Sequence, residues 1–143
     1  MMVDLTNGVT PDNVVRFVHH GEPRSKQRPM VTKNGTFTRP ETVAAEREIR
    51  DHWRSLGVTP FEHHVVVSID FFNGNRRRRD LDNMAKLVLD ALNGEAYDDD
   101  HQVVELNARK FFTDKENART VVTMREVVLW SYESETIQPL FGT

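Results

Sequence analysis

The chain has no cysteine in its 143 residues, which excludes disulfides, thiolate metal centres and cysteine nucleophiles. It has no apolar run near the ~18 residues that mark a membrane span, and residues 1–13 lack the basic and apolar regions of a signal peptide. A cytoplasmic protein is therefore expected. P-loop, dinucleotide-binding and nucleophile-elbow motifs are all absent, so no organic cofactor is expected. The six histidines show no H-x-x-x-H spacing. His19, His20, His63 and His64 read as strand-flanking surface residues rather than zinc ligands.

What remains is 38% hydrophobic and 29% charged, the composition of one globular domain with a real core. Residues 1–13 read as a flexible N-terminal tail, 14–130 as the domain and 131–143 as a C-terminal tail without clear periodicity. The net charge of −3 argues against nucleic-acid binding until its distribution is considered. Residues 21–39 hold Arg24, Lys26, Arg28, Lys33 and Arg39 against Glu22 alone, and Arg76, Arg77, Arg78 and Arg79 form a second basic block. Directly after it, residues 80–105 carry eight carboxylates and one lysine, Lys86.

The coarse pattern is mixed α/β. Residues 14–20 read as a strand, and 21–39 as a basic loop or ribbon with a turn at Asn34-Gly35. Pro40 opens a helix with Ala45, Ile49, Trp53 and Leu56 on one stripe, ended by Gly57 and Pro60. Its outer face offers Glu46–Arg50 and Arg47–Asp51 pairs. Residues 64–72 alternate as a strand with Val65, Val67, Ile69 and Phe71 on one face. Residues 82–93 read as a second helix, with Met84, Leu87, Val88, Ala91 and Leu92 buried and Gly94 as its stop. Residues 103–112 and 119–128 read as two antiparallel strands joined through 114–117. The expected fold is a single mixed sheet with two helices packed on it.

The chemistry concentrates in the acidic block. Two carboxylates 4 Å apart repel by roughly 4 kcal/mol at an effective dielectric of 20, and a hard divalent cation held by oxygen is a common way to neutralise them. Asp80 and Asp82 share one side if the backbone is extended; Asp82 also suits an N-cap without chemistry. Lys86, four residues from both Asp82 and Asp90, fits a solvated ion-pair ladder or a cation beside a phosphoryl oxygen. Asp98, Asp99 and Asp100 fit a solvated loop, or a third carboxylate returned toward Asp80 by the helix and its following loop. The arginine run and the Lys26–Arg28 segment fit solvated surface or phosphate docking.

The string Arg78-Arg79-Asp80-Leu81-Asp82-Asn83, then Lys86, Asp90-Ala91-Leu92-Asn93-Gly94 and Asp98-Asp99-Asp100-His101-Gln102-Val103 resembles the RusA-type Holliday-junction resolvases. Their pattern is D-x-D-N-x-x-K, D-A-L-x-G and D-D-x-Q-V. Gly21-Glu22-Pro23-Arg24-Ser25-Lys26-Gln27-Arg28-Pro29 also resembles their G-x-P-x-x-K-x-R-P segment. The resemblance implies a RusA-like homodimer, bacterial or phage-encoded, that binds branched DNA at four-way junctions. It implies paired symmetric nicks made with Mg²⁺, for which Mn²⁺ substitutes. Asp80, Asp82, Asp100 and Lys86 match the catalytic set, and Asp80, Asp82, Asp100 and Asp99 the metal-binding acids. Lys26, Arg28, Arg76, Arg77, Arg78, Arg79 and Asn83 are the expected DNA contacts. A nuclease for flaps or forks would use the same site, and a non-catalytic branched-DNA-binding module with a structural ion is the rival reading from another class.

Overall fold

The computed structural model describes residues 8–9 and 13–127. Within the segment expected to be a tail, β1 (Gly8–Val9) pairs antiparallel with β2 (Val14–His20). The remainder of that segment and the expected C-terminal tail lie outside the described residues. The basic segment contains the anticipated hairpin, β3 (Met30–Thr32) and β4 (Gly35–Phe37), as a separate two-stranded ribbon. Gly35 at its turn has φ +127°, a backbone conformation that disfavours a side chain.

Helix α1 (Pro40–Ser55) begins with proline in its first turn and buries Thr42, Ala45, Ile49 and Trp53. Gly57, at φ +65°, ends it in the left-handed conformation, with its N–H donating to the Arg54 carbonyl at 3.2 Å. The expected pairs on its outer face give way to tertiary partners. Glu46 accepts from Lys26, and Arg50 donates to the carbonyl of Ala91. No ion pair joins Arg47 to Asp51 among the described residues.

The central strand is β5 (His64–Asn73), whose Val65, Val67, Ile69 and Phe71 are at most 1% exposed. Helix α2 (Leu81–Leu92) follows, burying Met84, Ala85, Leu87, Val88, Ala91 and Leu92. Then come β6 (Val103–Phe112) and β7 (Arg119–Val127). The five-stranded sheet has the order β1-β2-β7-β5-β6. The pairing expected between the last two strands is not formed, because β5 lies between them. β6 runs parallel to β5 as the edge strand, and β7 is antiparallel to both β5 and β2. The period-two pattern correctly marks both as strands, but alternation carries no information about which neighbour a strand takes.

Both helices cover the sheet face that carries Val15, Phe17, Val65, Val67, Ile69, Val122 and Met124. Each large apolar side chain buried there contributes about 1.5–3 kcal/mol. Arg54 forks onto Glu95 at 2.8 Å, and Arg50 reaches Ala91, so polar bonds at the rim also join α1 to the end of α2.

At the carboxyl end of β5 the chain turns through Gly74, whose amide donates to both Glu22 carboxylate oxygens at 3.0 and 3.1 Å. A Cβ at this position would stand 2.9 Å from Lys115 Cα and 2.9 Å from Glu22 Oε1. Gly74→Ala is therefore expected to cost about 1–3 kcal/mol through overpacking. The check is urea unfolding, where the midpoint should fall with an unchanged slope; an unmoved midpoint would show that these neighbours yield freely.

Candidate active site

Helix α2 and strand β6 enclose an open cleft of about 570 Å³. Its apolar floor is Leu81, Ala85 and Leu89 from the helix and Leu106 and Ala108 from the strand; its polar lining is Asp82, Lys86, Asp90 and Asp100. The three helical polar residues recur every four positions, so they share one face. Of the ladder they could form, Lys86–Asp90 is present at 4.0 Å.

Asp80, not Asp82, occupies the N-cap position of α2, with extended backbone (φ −78°, ψ 131°). Its carbonyl accepts the Met84 amide at 3.0 Å, while its carboxylate makes no capping bond. Asp82 sits in the first turn and accepts from the Asn83 amide at 2.9 Å. The capping role open to Asp82 is thus not used. Both carboxylates lie at the positive end of the helix dipole.

The acidic loop is fixed by a residue that drew no attention in the sequence beyond its place in the motif. Gln102 is 8% exposed. Its side-chain oxygen accepts from the amides of Asp98 and Asp99, and its nitrogen donates to the carbonyls of Phe61 and His63. Asp99 bonds to His101 Nδ1 at 2.8 Å, and that bond holds its carboxyl below the usual range. Asp100 lines the cleft instead. Tyr97, fully buried, donates its hydroxyl to the Leu89 carbonyl. Burial, then the charges of Asp100, Asp90 and Asp99, push its pKa far up.

The loop does not return to Asp80 as the sequence reading expected. Because β6 is parallel to β5, the connection holding Asp98, Asp99 and Asp100 lies at the amino end of β5, a helix length from Asp80. Asp82 and Asp100 share the cleft; Asp80 is not part of its lining, and neither is Asp99. Among the described residues no three His, Asp or Glu side chains converge closely enough to hold an ion. The donor chemistry nevertheless fits a hard cation. Asp80, Asp82 and Asp100 are exposed, and none has an ion-pair partner among the described residues. A Mg²⁺ site needs few protein carboxylates when water and phosphate supply its remaining ligands.

The expected DNA contacts divide into two groups. Arg28, Arg76, Arg77 and Arg78 are exposed, and Arg77 and Arg78 line a polar groove of about 330 Å³ with Arg24, Ser25 and Gln27. Arg79 turns inward instead, its side chain 8% exposed and Nη1 3.1 Å from Glu22. Lys110 Nζ donates to its carbonyl at 2.6 Å. Lys26 is likewise engaged, bonding Glu46 at 3.1 Å and Asp90 at 2.5 Å. Arg79 and Lys26 thus each carry an intramolecular ion pair, although Arg79 also borders the groove of Arg77 and Arg78. Half-buried Asn83 uses its carbonyl to accept from the Lys26 amide at 3.0 Å. The positions of Lys26 and Arg79 in basic runs conceal that each has an acidic partner distant in sequence.

His19 also departs from its reading as a surface residue. Its Nδ1 lies 3.0 Å from His52 Nδ1, so one ring donates to the other. Burial lowers both pKa values; for His19 this outweighs the opposing pull of Glu48.

The Lys26 clasp has a pH signature. Burial alone would lower the ammonium's pKa, but the bonds to Asp90 and Glu46 outweigh it and raise the value above 10.5. A raised folded-state pKa gives stability that is complete below the unfolded value and is lost as pH rises through the folded one. Lys26→Met is expected to cost about 1–3 kcal/mol near neutrality, by leaving Glu46 without its cation and Asp90 with only the distant Lys86. It should also flatten the loss of stability above pH 10.5. Denaturant titrations across the alkaline range provide the check, and an equally steep loss in the variant would assign the clasp to another group.

No curated protein sequence matches the chain. Residues 20–125 match the family described as Endodeoxyribonuclease RusA. That span runs from the end of β2 into β7 and contains both helices, the cleft and every acid discussed above. The chain belongs to the RusA endodeoxyribonuclease family.

Proposed function

We propose that the protein resolves four-way DNA junctions by paired symmetric nicks, hydrolysing phosphodiesters with Mg²⁺ as a homodimer. The observation that carries this reading is the cleft shared by Asp82, Lys86 and Asp100 in a chain of this nuclease family. Asp80 and Asp82 at the start of α2, and Asp100 a helix length away, are the candidate ligands; among the described residues of one copy they do not meet at a single ion. A divalent ion held there would supply a Lewis acid for a phosphate oxygen and for the attacking water.

The remaining work falls to the chain's own side chains. Lys86 is 61% exposed at its side chain and only loosely paired with Asp90, so its ammonium is free to approach a phosphoryl oxygen as charge develops. Its neighbour Asp90 is held by Lys26, which keeps that carboxylate from competing with the candidate ligands. Arg76, Arg77 and Arg78, beside the amino end of α2, hold the phosphate backbone in register without reading sequence. Arg28 lies on the adjoining basic segment, and Asn83 at the helix entry. Two copies related by a two-fold axis match the symmetry of a junction and supply two cuts.

The test is nicking of a labelled four-way junction beside a linear duplex of the same sequence. Asp82→Asn and Asp100→Asn are expected to lower junction nicking by about 10²–10³ or more, and Lys86→Ala by a similar order. Asp99→Asn should keep most activity, and EDTA should abolish it. Tight junction binding with no nick under Mg²⁺ or Mn²⁺ would leave a branched-DNA-binding module in place of an enzyme.

A further inference from the structure

The sheet face opposite the helices carries an ordered layer of arginines and aromatic rings that the cleft does not use. Phe71 points into the core, so Phe72 points to the other face. The strand register sets Arg119 of β7, Phe72 of β5 and Phe111 of β6 in one cross-strand row, with Asp70 and Arg109 in the next. The Phe72 and Phe111 rings stack with centroids 5.0 Å apart and planes at 16°. The Arg119 guanidinium lies 3.9 Å from the Phe72 centroid, and that of Arg109 lies 5.3 Å from Phe111. At the end of β6, Arg76 lies 5.6 Å from the ring of Phe112, which by the same alternation points to the helix-side face.

Each ring holds its guanidinium against the sheet, the Arg119 group closely and the Arg109 group more loosely, with the Nε/Nη2 edge of Arg109 turned onto Asp70. The donors are not exhausted. Arg119 gives one nitrogen to the Asn117 carbonyl, and Arg109 gives two to Asp70. Within the layer the Arg109 side chain is 68% exposed and Phe111 37%, while Phe72 and Arg119 are half-buried.

The charge of this face selects its partner. Register brings Arg16, Arg109, Arg119 and Arg125 to it against Asp70 and Glu105, in a chain whose net charge is −3. An apolar protein surface would meet guanidinium groups there rather than bare rings. Arg76 stands at the same end of the sheet as the groove lined by Arg77 and Arg78, near the end of this row.

We propose that Arg119, Phe72, Phe111 and Arg109 form a second phosphate-backbone track, on the opposite side of the sheet from the cleft, that holds a duplex arm of the branched substrate. The track rests on the junction-nuclease reading but is separate from the cutting site. It positions DNA by charge and carries no sequence information.

The experiment compares the natural chain with the Arg109→Gln/Arg119→Gln double variant and with Phe111→Leu, which keeps both charges. Junction affinity is measured across a salt series, nicking at saturating protein, and molecular mass by light scattering. The double variant should bind about ten-fold more weakly, with a salt slope smaller by about two, one for each phosphate contact removed. Phe111→Leu should weaken binding less and leave the slope nearly unchanged. Saturated nicking should not change in either. Natural affinity and slope in the double variant would overturn the track while leaving the nuclease reading intact. A change in mass without a change in slope would make this face an interface between copies and also overturn it. A natural chain that neither binds nor nicks junctions would remove the nuclease reading, and the track with it.

Discussion

The Lys26 ammonium stands between Glu46 of α1 and Asp90 of α2, and its own amide donates to the Asn83 carbonyl in the first turn of α2. Three segments distant in sequence are thereby joined at one half-buried cation. Hydrophobic contact holds the two helices on the sheet, but it tolerates sliding; a cation shared by two carboxylates and anchored through its backbone does not. The helix that presents Asp82 and Lys86 is therefore fixed along its axis as well as packed. A second ionic contact acts at the entry to α2. Glu22 accepts two bonds from Gly74 and faces Arg79, whose carbonyl takes the Lys110 ammonium. Asp80 follows immediately, so its backbone is held from both sides.

The parallel pairing of β5 and β6 determines how the acids are spaced. A parallel connection must cross the length of the sheet, and here α2 supplies that crossing. Asp80 and Asp82 begin the helix, while Asp100 follows it at the other end of the strands. Asp82 and Asp90 alone are separated by eight residues, about 12 Å along the axis. Spreading the carboxylates in this way limits their mutual repulsion in the free protein. It also lets the intervening Lys86 and Asp90 neutralise each other, with Lys26 adding the cation that the half-buried Asp90 needs.

Much of this was legible in the sequence, and what was not has identifiable causes. Both helices were readable because Ala45, Ile49 and Trp53, and Met84, Leu87, Val88 and Leu92, repeat at the helical period on strongly buried faces. β2 and β5 were equally plain from their alternation. The position of β6 was not, since Val103–Phe112 reads the same whether it pairs with β5 or β7. The acidic block located the cleft, yet spacing along the chain could not show that Asp100 lies a helix length from Asp80. Lys26 and Arg79 looked like surface cations because their partners, Asp90 and Glu22, are 64 and 57 positions away. Gln102 showed least of all. A glutamine has no periodic signature, and its four bonds exist only once β5, the loop and β6 have met.

The division of charge resolves how a chain of net charge −3 can attract DNA. β5 spans ten residues, roughly 33 Å at the usual rise per residue, with the exposed arginines Arg76, Arg77 and Arg78 beyond one end and the Asp98–Asp100 loop near the other. The Debye length at physiological salt is about 8 Å, so each end presents its own field and the net charge is felt by neither. On the proposed reading a phosphate backbone is drawn to the arginine end, which is also where Asp80 and Asp82 stand. The acids at that end share the positive potential of the α2 amino terminus, and a cation recruited there would meet phosphate and carboxylate together. The local balance of sign, rather than the total, is what makes the carboxylates compatible with a polyanionic substrate.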